Sequence, residues 1–124
     1  MRHGFPKERR IKNRETIRRI LHLGQKAVDG FVRLYAAPGG TVRGLSRCGI
    51  LVSRRNGTAV ARNRIKRLCR EAFRLVSGAI PPGYDYLVCP HPGKEPGLDE
   101  LGESLKNLAA SAVLRVETEE GRKT

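Results

Sequence analysis

Between residues 59 and 76 the apolar positions recur at the spacing of one helical face. At about 100° per residue, Ile65, Leu68, Cys69, Ala72, Phe73, Leu75 and Val76 gather on one side. Arg64, Lys66, Arg67, Arg70 and Arg74 take the other, and Arg62 falls at the border. A shorter stripe of Ile17, Ile20 and Leu21 predicts a helix over about 14–23, with Asn13 as N-cap and Gly24 as stop. Over 26–37 the period changes to two: Phe31, Arg33 and Tyr35 point one way, Val32, Leu34 and Ala36 the other. Pro38-Gly39-Gly40 ends that strand, and Gly44 keeps the connection loose. A second strand is expected over 47–53, with Cys48, Ile50 and Val52 alternating, before an Asn56-Gly57 turn and a Thr58 cap. Residues 84–89 (YDYLVC) form a third strand, parallel to the second because a helix intervenes. Leu98, Leu101, Leu105, Leu108 and Ala112 mark a closing helix over about 98–114. The order α-β-β-α-β-α, with one strand open to splitting, predicts an α+β fold: an α/β sandwich of helices against a small mixed sheet. Residues 1–114 make one domain, 1–13 being an extended or partly disordered basic arm, and 115–124 are expected to be a disordered tail.

Charge sharpens this picture. The net charge is +13, and it is segregated: residues 1–84 carry 20 basic and 4 acidic side chains, residues 85–124 carry 5 and 8. Arg62, Lys66, Arg70 and Arg74 follow one another at i,i+4 with no acid on that line, an arrangement that repels itself. A polyanion relieves the repulsion, and nucleic-acid phosphates are its usual form. No apolar run reaches about 18 residues, and the N-terminus lacks an apolar signal segment, so secretion and a membrane partner are not expected. Cys48, Cys69 and Cys89 form no C-x-x-C pair; each sits in an apolar pattern, as a small buried hydrophobe does, and scattered thiols suit a reducing cytoplasm.

The block 47–74 closely resembles the bacterial ribonuclease P protein subunit. That family has a strand ending in Ser and two cations, then Gly-x-Ala-Val-x-Arg-Asn-Arg-x-Lys-Arg-x-x-Arg-Glu. Here Ser53-Arg54-Arg55 is followed by Gly57, Ala59, Val60, Arg62, Asn63, Arg64, Lys66, Arg67, Arg70 and Glu71 at those spacings. The likeness extends to Arg10-Ile11-Lys12 before the first helix, to Gly24, Phe31 and Tyr35, to Pro82-Gly83-Tyr84-Asp85, and to Ser104, Leu105 and Leu108 in the last helix. About residues 5–114 are covered.

The resemblance implies a left-handed crossover through the basic helix, against the usual right-handed rule. It also implies a cytoplasmic ribonucleoprotein endoribonuclease that removes the 5′ leader from precursor tRNA. The partners would be the ribonuclease P catalytic RNA and precursor tRNA, not DNA. Catalysis would reside in the RNA, with Mg²⁺ held mainly by RNA and substrate and no catalytic or metal-binding residue in this chain. RNA-subunit contacts would fall to Arg54, Arg55, Arg62, Asn63, Arg64, Lys66, Arg67, Arg70 and Arg74. A leader-binding cleft would use Lys12, Ile17, Leu21, Phe31, Arg33 and Tyr35, since rings stack on unpaired bases while cations hold phosphates. Some roles stay open: Asn63 suits a loop brace, Phe31 suits the core, and Ile17 and Leu21, often Phe in the family, suit core or cleft.

Three other functions compete. A protein nuclease acting alone needs clustered carboxylates or a positioned His pair, whereas His3, His22 and His91 are scattered. A helix-turn-helix needs two adjoining helices, whereas this basic helix follows a strand. A ribosomal-type RNA-binding protein without a role in tRNA cleavage is the runner-up.

Overall fold

In the computed structural model, described for residues 7–39, 41–42 and 45–123, three helices cover a mixed sheet. The elements are α1 (Arg14–Leu23), β1 (Gln25–Val28), β2 (Val32–Pro38), β3 (Thr41–Val42), β4 (Leu45–Ile50), α2 (Ala59–Val76), β5 (Tyr84–Pro90) and α3 (Leu98–Lys123). The strand order is β1-β2-β5-β4-β3; only β4 and β5 run parallel, and α2 connects them.

Two faces of this sheet do different work. Val32, Leu34, Ala36, Cys48, Tyr86 and Val88 pack with α2 and α3 in the main core. Phe73 of α2 is fully buried there, its ring centroid 5.9 Å from that of Tyr86, and burial of such a side chain contributes about 1.5–3 kcal/mol. On the other face a smaller cluster of Ile11, Ile20, Ala37 and Leu87 seats α1, with Ile17, Tyr35 and Cys89 against it.

Four expectations are corrected. The strand expected over 26–37 is a hairpin, because the Asp29 carboxylate accepts hydrogen bonds from the amides of Phe31 (2.8 Å) and Val32 (3.1 Å) and turns the chain at Gly30. Phe31 therefore sits in the turn and packs against the main core, away from the face that carries Tyr35. The strand expected over 47–53 starts and stops earlier, as β4, and pairs antiparallel with β3, while Gly40 and Gly44 of the connection expected to be loose lie outside the described residues. Finally, α3 does not end near 114. Val116 continues the buried stripe of Val113, Arg115 donates to the Lys26 carbonyl (2.9 Å) and Tyr84 donates to Glu117 (3.3 Å), so tertiary contacts carry the helix on to Lys123.

The basic arm is also more ordered than its sequence suggests. Arg10 bridges Cys48, and the Ile11 amide donates to the Cys48 carbonyl (2.9 Å), so the arm lies along the β4 edge. Arg9 is buried and donates twice to the Ser46 carbonyl (3.0 and 2.8 Å). Burial lowers its pKa, with Cys48 acting the other way. Residues 1–6 of the arm lie outside the described residues.

Candidate nucleic-acid interface

The basic helix is placed by a tight sequence of local bonds. Asn56 Oδ1 accepts from the Ser53 amide (3.2 Å), and Thr58 Oγ1 caps α2 by accepting from the Ala61 amide (3.2 Å). Between them Gly57 takes φ +111°, a region that favours glycine, and a Cβ there would meet Ala61 Cβ at 3.2 Å. Arg54 and Arg55 are exposed on the turn just before the helix.

Along α2 the basic residues, with Asn63 among them, divide among five settings. Asn63 and Arg67 are exposed. Arg62 donates to the Gly57 carbonyl (3.3 Å), and so braces the turn. Arg64 borders a hollow of about 450 Å³ whose floor includes Ile65 and Leu68 and whose rim includes Asn56, Lys94 and Glu95. Lys66 and Arg70 face a groove of about 330 Å³ shared with Arg10, Lys12, Ile17 and the β4 residues Cys48, Gly49 and Ile50. Arg74 is paired with Glu71, Nε lying 2.9 Å from the carboxylate, so one cation of the i,i+4 line is offset within the helix. Leu75, expected on the apolar side, is 54% exposed.

A third concavity, of about 490 Å³, opens between α1 and the outer sheet face. Leu21, Arg33, Tyr35, Arg55, Cys89 and His91 are among its walls. Arg33 Nη1 donates to the Tyr35 hydroxyl (3.4 Å), and this contact raises the guanidinium pKa further. Burial pushes the Cys89 thiol up to about 11, Arg33 pulling it the other way, so at neutral pH it is an uncharged wall. Of the six residues expected in one cleft, three (Leu21, Arg33 and Tyr35) line it. Lys12 and Ile17 lie in the neighbouring groove with Lys66 and Arg70, and Phe31, partly buried, packs against the main core. Arg55, expected with the helix cations, joins the cleft.

The sequence reading missed the clamp that holds α1 to the sheet. Asp85, fully buried at the start of β5, accepts from Arg47 Nε and Nη2 (both 2.8 Å) and from Arg19 Nη2. Arg19 also donates to the Pro38 carbonyl (2.8 Å). The Asp85 pairing raises the Arg47 pKa, burial acting against it. A Cβ at Gly39 would sit 2.2 Å from the Asp85 carboxylate, so the glycine leaves room for the charge. An acid inside an apolar strand signals a buried partner; its two arginines, 38 and 66 residues away, give no local sign.

A cation-rich helix and a ring-and-arginine cleft, carried by one small mixed sheet, are the features of an α+β RNA-binding protein. Among the described residues no helix is long and apolar enough to cross a membrane. The chain belongs to the ribonuclease P protein family: the family model described as Ribonuclease P matches residues 5–113. It is 39% identical over 92 residues to the ribonuclease P protein component of Roseiflexus castenholzii, covering 74% of this chain and 71% of that one. With the Clostridium acetobutylicum component it shares 32% identity over 111 residues, 87% of this chain and 92% of the relative. The solved RNase P protein of Staphylococcus aureus superposes with a TM-score of 0.69 at 30% identity, covering 83% and 94% of the two chains. That of Thermotoga maritima gives 0.69 at 29% identity, covering 80% and 96%. The chain thus has the role of the protein component of a ribonucleoprotein endoribonuclease, associated with an RNA subunit, and the ribosomal-type alternative is not favoured.

Proposed function

We propose that the groove beside Lys66 and Arg70 and the cleft beside α1 divide the RNA between them. The groove of Arg10, Lys12, Lys66 and Arg70, together with Arg54 of the preceding turn and Asn63, Arg64 and Arg67 of the helix, seats the catalytic RNA subunit. The cleft of Leu21, Arg33, Tyr35 and Arg55 receives the single-stranded 5′ leader of precursor tRNA. The observation that carries this reading is the cleft itself, where a ring able to stack on an unpaired base stands beside two guanidiniums able to hold the flanking phosphates. Arg62 and Arg74 act mainly within the protein, as brace and as partner of Glu71.

The chemistry in this reading belongs to the RNA. Among the described residues no three His, Cys, Asp or Glu side chains come together in a group that could hold a metal ion. The reading assigns the metal to the RNA subunit and substrate. What the protein contributes is fixed positive charge, which lowers the Mg²⁺ needed to bring two polyanions together. Three free thiols suit the cytoplasm as the compartment.

The test is reconstitution with a ribonuclease P RNA. Stringently RNA-free protein is expected to leave precursor tRNA intact, and the pair is expected to cleave at lower Mg²⁺ than the RNA alone. Tyr35→Ala is expected to weaken precursor binding by about 1–3 kcal/mol and to leave mature tRNA nearly unaffected. Equal losses for both tRNAs would remove the leader from the cleft.

A further inference from the structure

We propose that the hollow between α2 and the β5–α3 connection is a pocket for one unpaired guanine of the RNA subunit, held at its base edge by Glu95 and Asn56. The inference rests on the reading of α2 as the face that meets that RNA, and it carries the contact past Arg64 onto the connection. The hollow shares no wall residue with the groove beside Lys66 and Arg70 or with the cleft beside α1.

Backbone sets its shape on both sides. Ala61, Ile65 and Leu68 recur at i, i+4 and i+7 of α2 and give it an apolar wall. The rest comes from the chain after β5. There Gly93 takes φ +77°, a region that favours glycine, and the connection continues through Lys94, Glu95 and the buried Pro96. The Gly97 amide donates to the Glu100 carboxylate (2.9 Å), which ties the end of the connection to the first turn of α3. The resulting space of about 450 Å³ lies in the range of small-ligand sites. It is too small for a duplex, and it is apolar where a base would lay its face.

The polar rim discriminates among bases. Asn56 Oδ1 accepts from the Ser53 amide (3.2 Å) and hydroxyl (3.3 Å), so Nδ2 is the end left to donate at the rim. Among the described residues Glu95 forms no ion pair, although Arg64 and Lys94 border the same hollow. A carboxylate on a face that meets a polyanion repels every phosphate and gains only where the RNA offers N–H donors. Guanine offers two side by side, N1–H and N2–H, for the two carboxylate oxygens, and its O6 accepts from an amide such as that of Asn56. Uracil presents one donor between two carbonyl oxygens, and adenine and cytosine set one amino group beside a bare ring nitrogen that the carboxylate repels. Arg64 and Lys94 supply the positive charge for the nucleotide's phosphate.

The sign of one substitution separates this pocket from a merely solvated acid. Removing a solvated acid from a basic face strengthens binding to a polyanion. Glu95→Ala, at an exposed position, is expected instead to weaken binding of a ribonuclease P RNA by about tenfold. The base is probed with kethoxal, which modifies N1 and N2 of unpaired guanines. In the complex of the whole protein with the RNA subunit, a guanine reactive in the free RNA is expected to be shielded, and to regain its reactivity with Glu95→Ala. Inosine at that position lacks the N2 amine. It is expected to weaken wild-type binding by about fivefold and to leave binding by Glu95→Ala unchanged. Equal or tighter binding by Glu95→Ala, or shielding that is the same in both complexes, overturns the inference. Lys66→Ala with Arg70→Ala tests the premise separately. An unchanged salt slope there removes the reading of α2 as the RNA face, whereas a reduced slope beside an ineffective Glu95→Ala rejects the pocket alone.

Discussion

Asp85→Asn is the most informative single change for the architecture of the site. It keeps the shape of the side chain and removes its charge, leaving two guanidiniums aimed at a neutral amide. The carboxylate is fully buried and accepts from Arg47 twice, at 2.8 Å, and from Arg19. Breaking a buried pair by neutralising one member costs about 3–5 kcal/mol. Here the arginine side chains remain 35% and 31% exposed and regain some water, so a loss of about 2–3 kcal/mol is expected. For a chain of this size that lowers Tm by about 6–15 °C. In urea the midpoint should fall by about 1–2 M at an unchanged slope, since the folded state stays compact. Arg19→Met should cost less, about 1 kcal/mol, because Asp85 keeps Arg47. A double-mutant cycle between Asp85→Asn and Arg19→Met should show coupling above about 0.5 kcal/mol. A loss below about 1 kcal/mol for Asp85→Asn, or additive single effects, would refute the claim that this carboxylate fastens α1 to the sheet.

Three further outcomes are expected. Lys66→Ala with Arg70→Ala should reduce the salt slope of RNA-subunit binding by about 0.7–0.9 per lost phosphate contact while circular dichroism stays native; an unchanged slope would take the groove out of the interface. Ile17→Phe should overpack the small cluster under α1 and lower stability by about 1–3 kcal/mol, whereas Leu21→Phe, at a position 40% exposed in the cleft, should leave stability near wild type and tighten precursor binding; thermal melts beside leader-dependent affinity check both. Burial raises the Asp29 pKa, but bonds from Ser104 and the Phe31 and Val32 amides outweigh it and the net shift is downward, so its contribution is full above the unfolded value of about 3.9 and is lost as pH falls through the folded value; Asp29→Asn should flatten that acid limb in pH-dependent unfolding.

The elements most legible from sequence were those whose signals are local. Asn13 accepts from the Glu15 and Thr16 amides, Thr58 caps α2, and both helices begin where their caps predict. The parallel pairing of β4 with β5 followed from the intervening helix. The hairpin at Asp29 was hidden because alternation continues through Phe31 as though the strand were unbroken, while the turn depends on one side chain folding back on two amides. The last turns of α3 were hidden for a different reason. An acidic, polar segment has little helical drive of its own, and Val116, Arg115 and Glu117 gain their stabilising contacts from β1 and Tyr84, far away in sequence. Within the site, periodicity sorted the core of α2 correctly at Ile65, Cys69, Ala72 and Phe73. It could not show that the arm crosses β4 and brings Lys12 to Lys66 and Arg70 rather than to Tyr35.

That hairpin turn has a consequence for the interface. In β2 the side chains alternate strictly: Val32, Leu34 and Ala36 enter the core under α2 and α3, while Arg33 and Tyr35 stand in the cleft. Arg33 lies opposite Cys89 and Val28, and Tyr35 opposite Leu87 and Lys26, so both neighbouring strands fix which face those two side chains take. A slip of one residue would send Arg33 and Tyr35 into the core and Leu34 into the cleft. Asp29 holds the register at one end, through the amides of Phe31 and Val32 and through Ser104. At the other end the Arg19–Asp85–Arg47 clamp ties α1 to β4 and β5, and Gly39 donates to the Gly83 carbonyl (3.2 Å) beside it. The two carboxylates on either end of β2 thus carry a role that their distance from the basic helix conceals. They keep the ring and guanidinium of the cleft on the wet face of a strand whose other face is core.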